Sequence, residues 1–482
     1  MKILNNIPSI FNDVVGPVMR GPSSSHSAAA LRIGRICRDL MDGNPGKVEV
    51  RFDTADALAT THESQGSDLG IKGGLLGYEA DDLRLTDPDE FLKKAEIDVH
   101  FVVTETGIKL PNHYLIYLEN SHQRAEVTAR STGGGMIEVI RINGTSVSIR
   151  GDQVVDLWVS PAGIPLSGNE KAGFAMNRRI YPVLPVGPPG AKGVPFSSCA
   201  MMTAYNRSRH LSAWELAVKY ESIRSGMDPE EVIRMMRDLY RIMKSAIETG
   251  LKGTRFRDRL LGAQSPGYRQ NMNAGKLVGG EALHNITLYV SALMEVKSSM
   301  GIIVAAPTAG SCGTFPGAVI GVADSMDLDE EYKVKALLAG SLVGLFIATG
   351  STFSAEIGGC QAECGSGAGM AAAGITWLLG GGVEQCMGAA SLALQNSLGM
   401  ICDPIAARVE APCLGKNISS AANALVCANM AMSGYDHLIP LDEVIETMDR
   451  VGKSLPRELC CTAKGGLSIT PSAKRLERKI NP

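Results

Sequence analysis

Residues 212–250 read SAWELAVKYESIRSGMDPEEVIRMMRDLYRIMKSAIETG. Apolar side chains recur three and four apart, the spacing that lays one apolar stripe along a helix. From about residue 201 onward this periodicity dominates, and the rest of that half consists of Gly/Ala-rich helices separated by loops. Upstream, between about 160 and 200, the chain turns to YPVLPVGPPGAKGVPF, whose proline and glycine read as a linker or extended surface segment. Residues 1–160 alternate β-rich runs, VEVRF, IDVHFVV, YLIYL and MIEVIRI, with helix-like stretches such as SAAALRIGRICRDLMDG. The expected fold class is α+β: an α/β domain over 1–160, a linker over 161–200 and a mainly α-helical domain over 201–482. Two domains are also the default at 482 residues. No period of roughly 20 to 50 residues repeats, which argues against a solenoid.

Charges nearly balance, 47 Lys and Arg against 50 Asp and Glu, for a formal net charge of -3. That leaves no footprint for nucleic acid and no polybasic membrane anchor, so a small or peptide-like substrate fits better. The opening MKILNNIPSIFNDVV lacks a sustained apolar stretch and a small-residue cleavage site, so the expected location is cytoplasmic. There the eleven irregularly spaced cysteines stay reduced rather than forming a disulfide framework. Two uncharged stretches, 301–323 and 336–355, have the length of membrane spans. Both are rich in Gly, Ala, Ser and Thr, so closely packed buried helices are expected instead, with no membrane partner. Such helices also favour subunit packing and lean towards a homodimer.

Chemistry concentrates in a few motifs. Cys360, Cys402 and Cys413 stand in GGCQAE, MICDPI and EAPCLGKN. Cysteine is among the most buried residue types, and these could simply fill a core. The prolines beside Cys402 and Cys413 instead place both at turns or helix ends, where ligands converge. Three thiolates suit a [4Fe-4S] cluster that keeps one iron free of protein ligands to act as a Lewis acid. Cys364, four residues after Cys360, would share a helix face with it and is a reserve ligand. GPSSSHSAAA at Gly21–Ala30 sets Ser23, Ser24, Ser25 and His26 just before a helix, as caps or as an anion site. APTAGSCG at Ala306–Gly313 is a loop of small residues whose N–H groups can face a ligand. GKS at Gly452–Ser454 lacks the glycine that a phosphate loop requires, and no GxGxxG opens a strand–helix unit.

Together these motifs resemble the iron-sulfur-dependent L-serine dehydratases (L-serine ammonia-lyases), with the family's β- and α-domains fused in one chain. GPSSSH, GSDLGIKGGLLG at Gly66–Gly77 and STGGGMIEV at Ser131–Val139 carry the likeness in the first domain, and APTAGSCG, the three cysteine motifs and KGGLSITP at Lys464–Pro471 carry it in the second. The resemblance implies cluster thiolates on Cys360, Cys402 and Cys413. It further implies a small amino-acid substrate contacted by Ser23–His26 and by the 307–311 loop, including Thr308, Ala309, Gly310 and Ser311. Two positions depart from the family. Gln65 stands where a histidine implicated as base is usual, leaving His26 or His62 as catalytic candidates, and His-Pro-Asn is replaced by Leu110-Pro111-Asn112 followed by His113. The chain also ends without the terminal cysteine that some members use as a temporary fourth ligand. The implied reaction is elimination of water from L-serine. Cysteine desulfidation or amino-acid binding without turnover are the alternatives, and no lysine sits in a setting that suggests pyridoxal phosphate.

Overall fold

The computed structural model describes residues 7–159, 176–191, 193–256 and 259–480. The fold is α+β, and its contacts divide the chain into a sheet unit, Met19–Pro188, and a helical unit made of Met1–Val18 and Pro189–Pro482.

In the sheet unit six strands are β1 Lys47–Asp53, β2 Asp98–Thr104, β3 His113–Glu119, β4 Arg124–Gly133, β5 Met136–Ile142 and β6 Thr145–Ile149. Their order is β2-β1-β3-β4-β5-β6. Only β1 and β2 pair in parallel, with Lys47 opposite Asp98 and Asp53 opposite Thr104, and the remaining neighbours are antiparallel. Alternation decides the buried face: Val48, Val50 and Phe52 of β1 point into the core while Glu49 and Arg51 between them stay half-exposed. Two helices, α1 Ala29–Leu40 and α2 Ser67–Leu75, belong to the same unit. Ala29, Ala30, Ile33, Ile36, Cys37 and Leu40 of α1 share one core with Phe52, Tyr114, Ile116 and Val127 of the sheet. The two helices touch backbone to backbone. A Cβ on Gly34 would lie 2.7 Å from Ile71 O, and one on Gly74 would run into Leu31 O.

A further antiparallel pair joins Val155–Val159 to Met176–Ile180. The expected boundaries at 160 and 200 therefore shift. Residues 160–175 of the expected linker lie outside the described residues, but 176–180 form a strand because Ile180 is fully buried in the sheet unit's core. Residues 7–18, expected in the first domain, pack with the helices. There Glu221 accepts hydrogen bonds from Ser9 Oγ at 2.8 Å and Ile10 N at 2.7 Å, and Tyr220 donates to Pro8 O.

In the helical unit a helix at Cys199–Asn206 precedes the stretch that reads most plainly in the sequence. It forms two helices, α3 Ala213–Ser225 and α4 Pro229–Leu251. A capping box between Ser212 and Glu215 starts the first, and Gly226 at φ 79° ends it. Asp228 caps the second, with Pro229 in its first turn. Next come α5 Glu281–Ser298, α6 Thr314–Ser325, α7 Glu330–Gly350, α8 Ser366–Leu378, α9 Val383–Gln395, α10 Cys413–Met432 and α11 Leu441–Ser454. The uncharged stretch 301–323 is not one helix, since a 3-10 turn at Ala309–Ser311 precedes α6. Gly317 and Gly321 of α6 lie against α5, where an added Cβ would stand 2.9 Å from Val290 N and Ile286 N respectively. The second uncharged stretch falls largely within α7, which is long and apolar enough to cross a bilayer, yet 78% of its most apolar window is buried inside the protein.

Backbone contact at α1 and α2 makes a specific demand on residue size. Gly74→Ala is expected to lower stability by about 1–3 kcal/mol, the usual cost of forcing extra volume into a packed interior. Gly267→Ala, in the helix Ser265–Asn273 with nothing within 4 Å of the new Cβ, should instead leave stability equal or raise it by about 0.5–1 kcal/mol. Thermal and urea unfolding midpoints measure both.

Candidate metal centre

Cys360 lies where the short helix Ala355–Gly358 breaks at Gly359, whose φ of 70° lets the chain reverse. A π-type turn, Gln361–Gly365, then leads into α8 and sets Cys364 over Cys360, sulfur to sulfur 3.4 Å. Gln361 pins this turn: its N donates to Met400 O, its side-chain amide donates to Met448 O, and its side-chain carbonyl accepts from Gly399 N. Cys402 stands in extended chain, where its N donates to Leu459 O at 2.8 Å and its O accepts from Cys461 N at 2.9 Å. Cys413 is the first residue of α10. None of the three sits in a helix interior.

The thiols form one buried group. Cys360, Cys364, Cys402 and Cys461 pack together, and Cys413 interacts electrostatically with Cys360 and Cys364. Hydrogen bonding to Cys461, then burial, holds the Cys402 thiol well above its ordinary pKa. Cys364 is raised by its bond to Cys360 and by burial, and Cys413 by burial first. Thiols packed this way resist ionisation until a cation joins them. Lys297 and Lys416 are cationic neighbours of the group; for Lys416 burial works against its charge, yet Cys360, Asp403 and Cys402 hold its pKa above the usual value. Its ammonium donates to Asp403 Oδ1 and Ile401 O, both at 2.6 Å.

The loop at Thr308–Ser311 joins the same site. Thr308, Ala309, Gly310 and Ser311 are all fully buried. Thr308 Oγ1 accepts from Ser311 N and donates to Glu363 Oε1 at 2.6 Å. Glu363 lies between Cys360 and Cys364 in the chain, and burial pushes its carboxyl up to about 7, with the Thr308 bond working the other way. A Cβ on Gly310 would stand 2.7 Å from that carboxylate, so the glycine makes room for it. Asn417, one turn into α10, completes the junction. Its Nδ2 donates to Gly310 O, Cys413 O and Cys364 Sγ, and its Oδ1 accepts from Thr314 N and Oγ1. Glu363, Lys416 and Asn417 escaped the sequence reading, although all three fall inside motifs quoted for their cysteines, and Cys461 counted there only as a weaker candidate.

Residues 208–468, which hold every one of these groups, match the family described as serine dehydratase alpha chain. The chain belongs to the serine dehydratase family. An L-serine dehydratase alpha chain of Peptoniphilus asaccharolyticus is 33% identical over 271 residues, 56% of this chain and 93% of that protein. Full-length likeness is looser: an L-serine dehydratase of Streptomyces coelicolor is 26% identical and L-serine dehydratase 1 of Escherichia coli 27% identical, each across 93% of this chain and 96% of the relative. Among the described residues, no three His, Cys, Asp or Glu side chains converge as a single metal ion would require. A polynuclear cluster asks for something else, since each thiolate binds its own iron and the donors surround a volume rather than a point. The buried thiol group of this serine dehydratase has the donor chemistry for it.

The sheet unit carries the other expected residues. Ser23 takes the N-cap position of the π-turn Ser24–Ala28 that precedes α1, yet makes no capping bond. Its hydroxyl instead meets His26 Nδ1 at 3.1 Å, so the serine-cap expectation fails at this position because the imidazole competes for the oxygen. His26 Nε2 lies 2.9 Å from Thr61 Oγ1, which itself donates to Ala57 O. The threonine proton being committed, Nε2 carries the hydrogen and Nδ1 accepts from Ser23. Ser24 and Ser25 are buried in the same turn. His62 is half-buried, stacks on Phe52 with ring centroids 4.6 Å apart, and bonds Asp68 Oδ1 through Nδ1 at 2.8 Å. Gln65 is buried, and His113 is engaged on both ring nitrogens, by Leu110 O and Thr106 Oγ1.

Asn417→Ala would leave the Thr314 N–H and the Gly310 carbonyl in an apolar interior without their present partner. Each such group costs about 1–3 kcal/mol. The variant should unfold at a distinctly lower temperature than the wild type by calorimetry, whereas an unchanged midpoint would mean that water replaces the amide.

Proposed function

We propose that this chain is a [4Fe-4S]-dependent L-serine ammonia-lyase, which eliminates water from L-serine and releases pyruvate and ammonia. The observation that carries the reading is the buried thiol group of Cys360, Cys402 and Cys413, tied through Asn417 and Glu363 to the Thr308–Ser311 loop. The names of the full-length relatives support the substrate.

Cys360, Cys402 and Cys413 would hold the cluster, and the chemistry it would supply is Lewis-acid polarisation of the β-hydroxyl. The rest of the chemistry falls to the protein. The Thr308–Ser311 loop is held rigid by its bonds to Glu363 and Asn417, which lets it orient a small zwitterion without reorganising. The α-proton needs a base. His26 has both nitrogens engaged, so its role is to hold Ser23 in place. His62 suits the proton transfer better: Asp68 fixes its Nδ1–H and stabilises the imidazolium, leaving the Nε2 lone pair to accept a proton. Loss of the α-proton and the hydroxyl gives an enamine and water. Its imine tautomer then consumes one water and yields the 2-oxo acid and ammonia.

Turnover by anaerobically reconstituted protein against L-serine, L-threonine and L-cysteine tests the assignment. Pyruvate and ammonia in equal amounts from serine are expected, and pyruvate from cysteine alone would reassign the enzyme as a desulfidase. Ser at Cys360, Cys402 or Cys413 should cost iron, sulfide and turnover together.

His62→Asn should lower kcat by about 10²–10⁴-fold, the span usual for a general base. His26→Asn should act mainly on KM and stability. If both variants keep full turnover, neither histidine is the base.

A further inference from the structure

Lys297 has no part in the scheme above, although its charge reaches the thiol group. It stands in the last turn of α5, and its side chain is fully buried. Lysine is almost never enclosed so completely unless a partner meets its charge. Here Nζ donates to Val409 O, in the turn that leads to Cys413, and among the described residues no carboxylate pairs with it. The acidic side chains nearest along these two segments are committed elsewhere. Glu295 accepts from Gln264 N, Ser265 N and Ser265 Oγ, and Glu410 accepts from Arg259 Nε, Leu260 N and Leu261 N. The ammonium acts instead on the centre. Burial raises the Cys413 and Cys312 thiols and the Glu363 carboxyl, and Lys297 opposes that rise in all three. On Cys413 it acts more strongly than Lys416 does.

A lysine is a costly way to hold one backbone carbonyl, because a neutral amide makes the same bond without carrying a charge out of water. The charge has a use if the centre it faces is anionic. Three thiolates around a doubly positive [4Fe-4S] core leave one surplus negative charge. Lys416 is matched by Asp403 at 2.6 Å. Of the two lysines that act on Cys413, Lys297 is therefore the one without a carboxylate partner among the described residues.

We propose that Lys297 is the counter-ion of the cluster, its ammonium balancing that surplus charge and sustaining the Lewis acidity on which the elimination depends. This rests on the cluster reading above. The role is electrostatic, exerted through the thiolate-held centre rather than by contact with the substrate. In an interior of low dielectric a cation beside such a centre favours its electron-rich state, so removing the charge makes reduction harder.

A redox titration of the full chain, reconstituted anaerobically and followed by the electron paramagnetic resonance of the reduced cluster, tests it. Lys297→Gln can still donate to Val409 O but carries no charge. It should keep the circular dichroism, iron and sulfide of the wild type, while its midpoint potential moves to a more negative value and kcat for L-serine falls with KM little changed. Lys297→Arg should hold the wild-type potential. Iron lost from Lys297→Gln but retained in Lys297→Arg would show the same dependence on charge. Should Lys297→Gln fail to fold, Lys297→Met is read in its place. A midpoint unchanged in the neutral variant, or loss of fold in both neutral variants, would overturn the proposal while leaving the cluster intact. Iron and sulfide absent from every form, wild type included, would overturn the cluster reading and this proposal with it.

Discussion

Several thiols cannot share an apolar interior as anions unless positive charge joins them, and that constraint organises the helical unit. Each thiolate added to the group raises the cost of the next, because the low dielectric that excludes water also strengthens their mutual repulsion. Lys297 and Lys416 both favour the Cys413 thiolate, but Asp403 and a backbone carbonyl already claim the Lys416 ammonium. Under the proposed function, the cluster would supply the remaining positive charge. The turns that hold the cysteines, at Gly359, at Cys402 and at the start of α10, serve that demand by keeping their sulfur atoms out of regular helix.

Glycine-mediated contact supports this arrangement from behind. Where Gly317 and Gly321 bring α6 against α5, backbones approach more closely than side chains would allow, and the 3-10 turn just before α6 inherits the rigidity of that pair. The loop at Thr308–Ser311 thus projects from a fixed base. Its hydroxyl and carbonyl groups are then committed to Glu363 and Asn417, which adds hydrogen-bonded definition to packing. Rigidity in this loop comes from the helices beneath it as much as from its own turn.

Much of this was legible in the sequence, because it depends on local signals. Period 3.6 marked α3 and α4, β-rich runs marked β1, β2, β3 and β5, and the prolines beside Cys402 and Cys413 correctly removed both from helix interiors. Long-range pairing was harder to read. Residues 7–18 join the helices through Glu221, Tyr220 and Arg224, and no local pattern announces which domain such a segment will choose. The strand at Met176–Ile180 hides in a proline- and glycine-rich neighbourhood. Cys461 ranked only as a weaker candidate because its neighbour Cys402 lies far back in the chain and is reached through a parallel backbone bridge, a contact that composition and spacing do not encode. Of the two readings open for the serines before α1, cap or anion site, the cap is not made at Ser23, whose hydroxyl meets His26 instead.

The bridge between Cys402 and the 459–461 segment has a bearing on biogenesis. Cys360, Cys402 and Cys413 emerge from the ribosome well before residues 459–467, which brace Cys402 and Asp403 from the far side. Until those later residues are synthesised and docked, one wall of the thiol chamber is missing. Burial of the thiol group is consequently complete only once the 459–467 segment has docked.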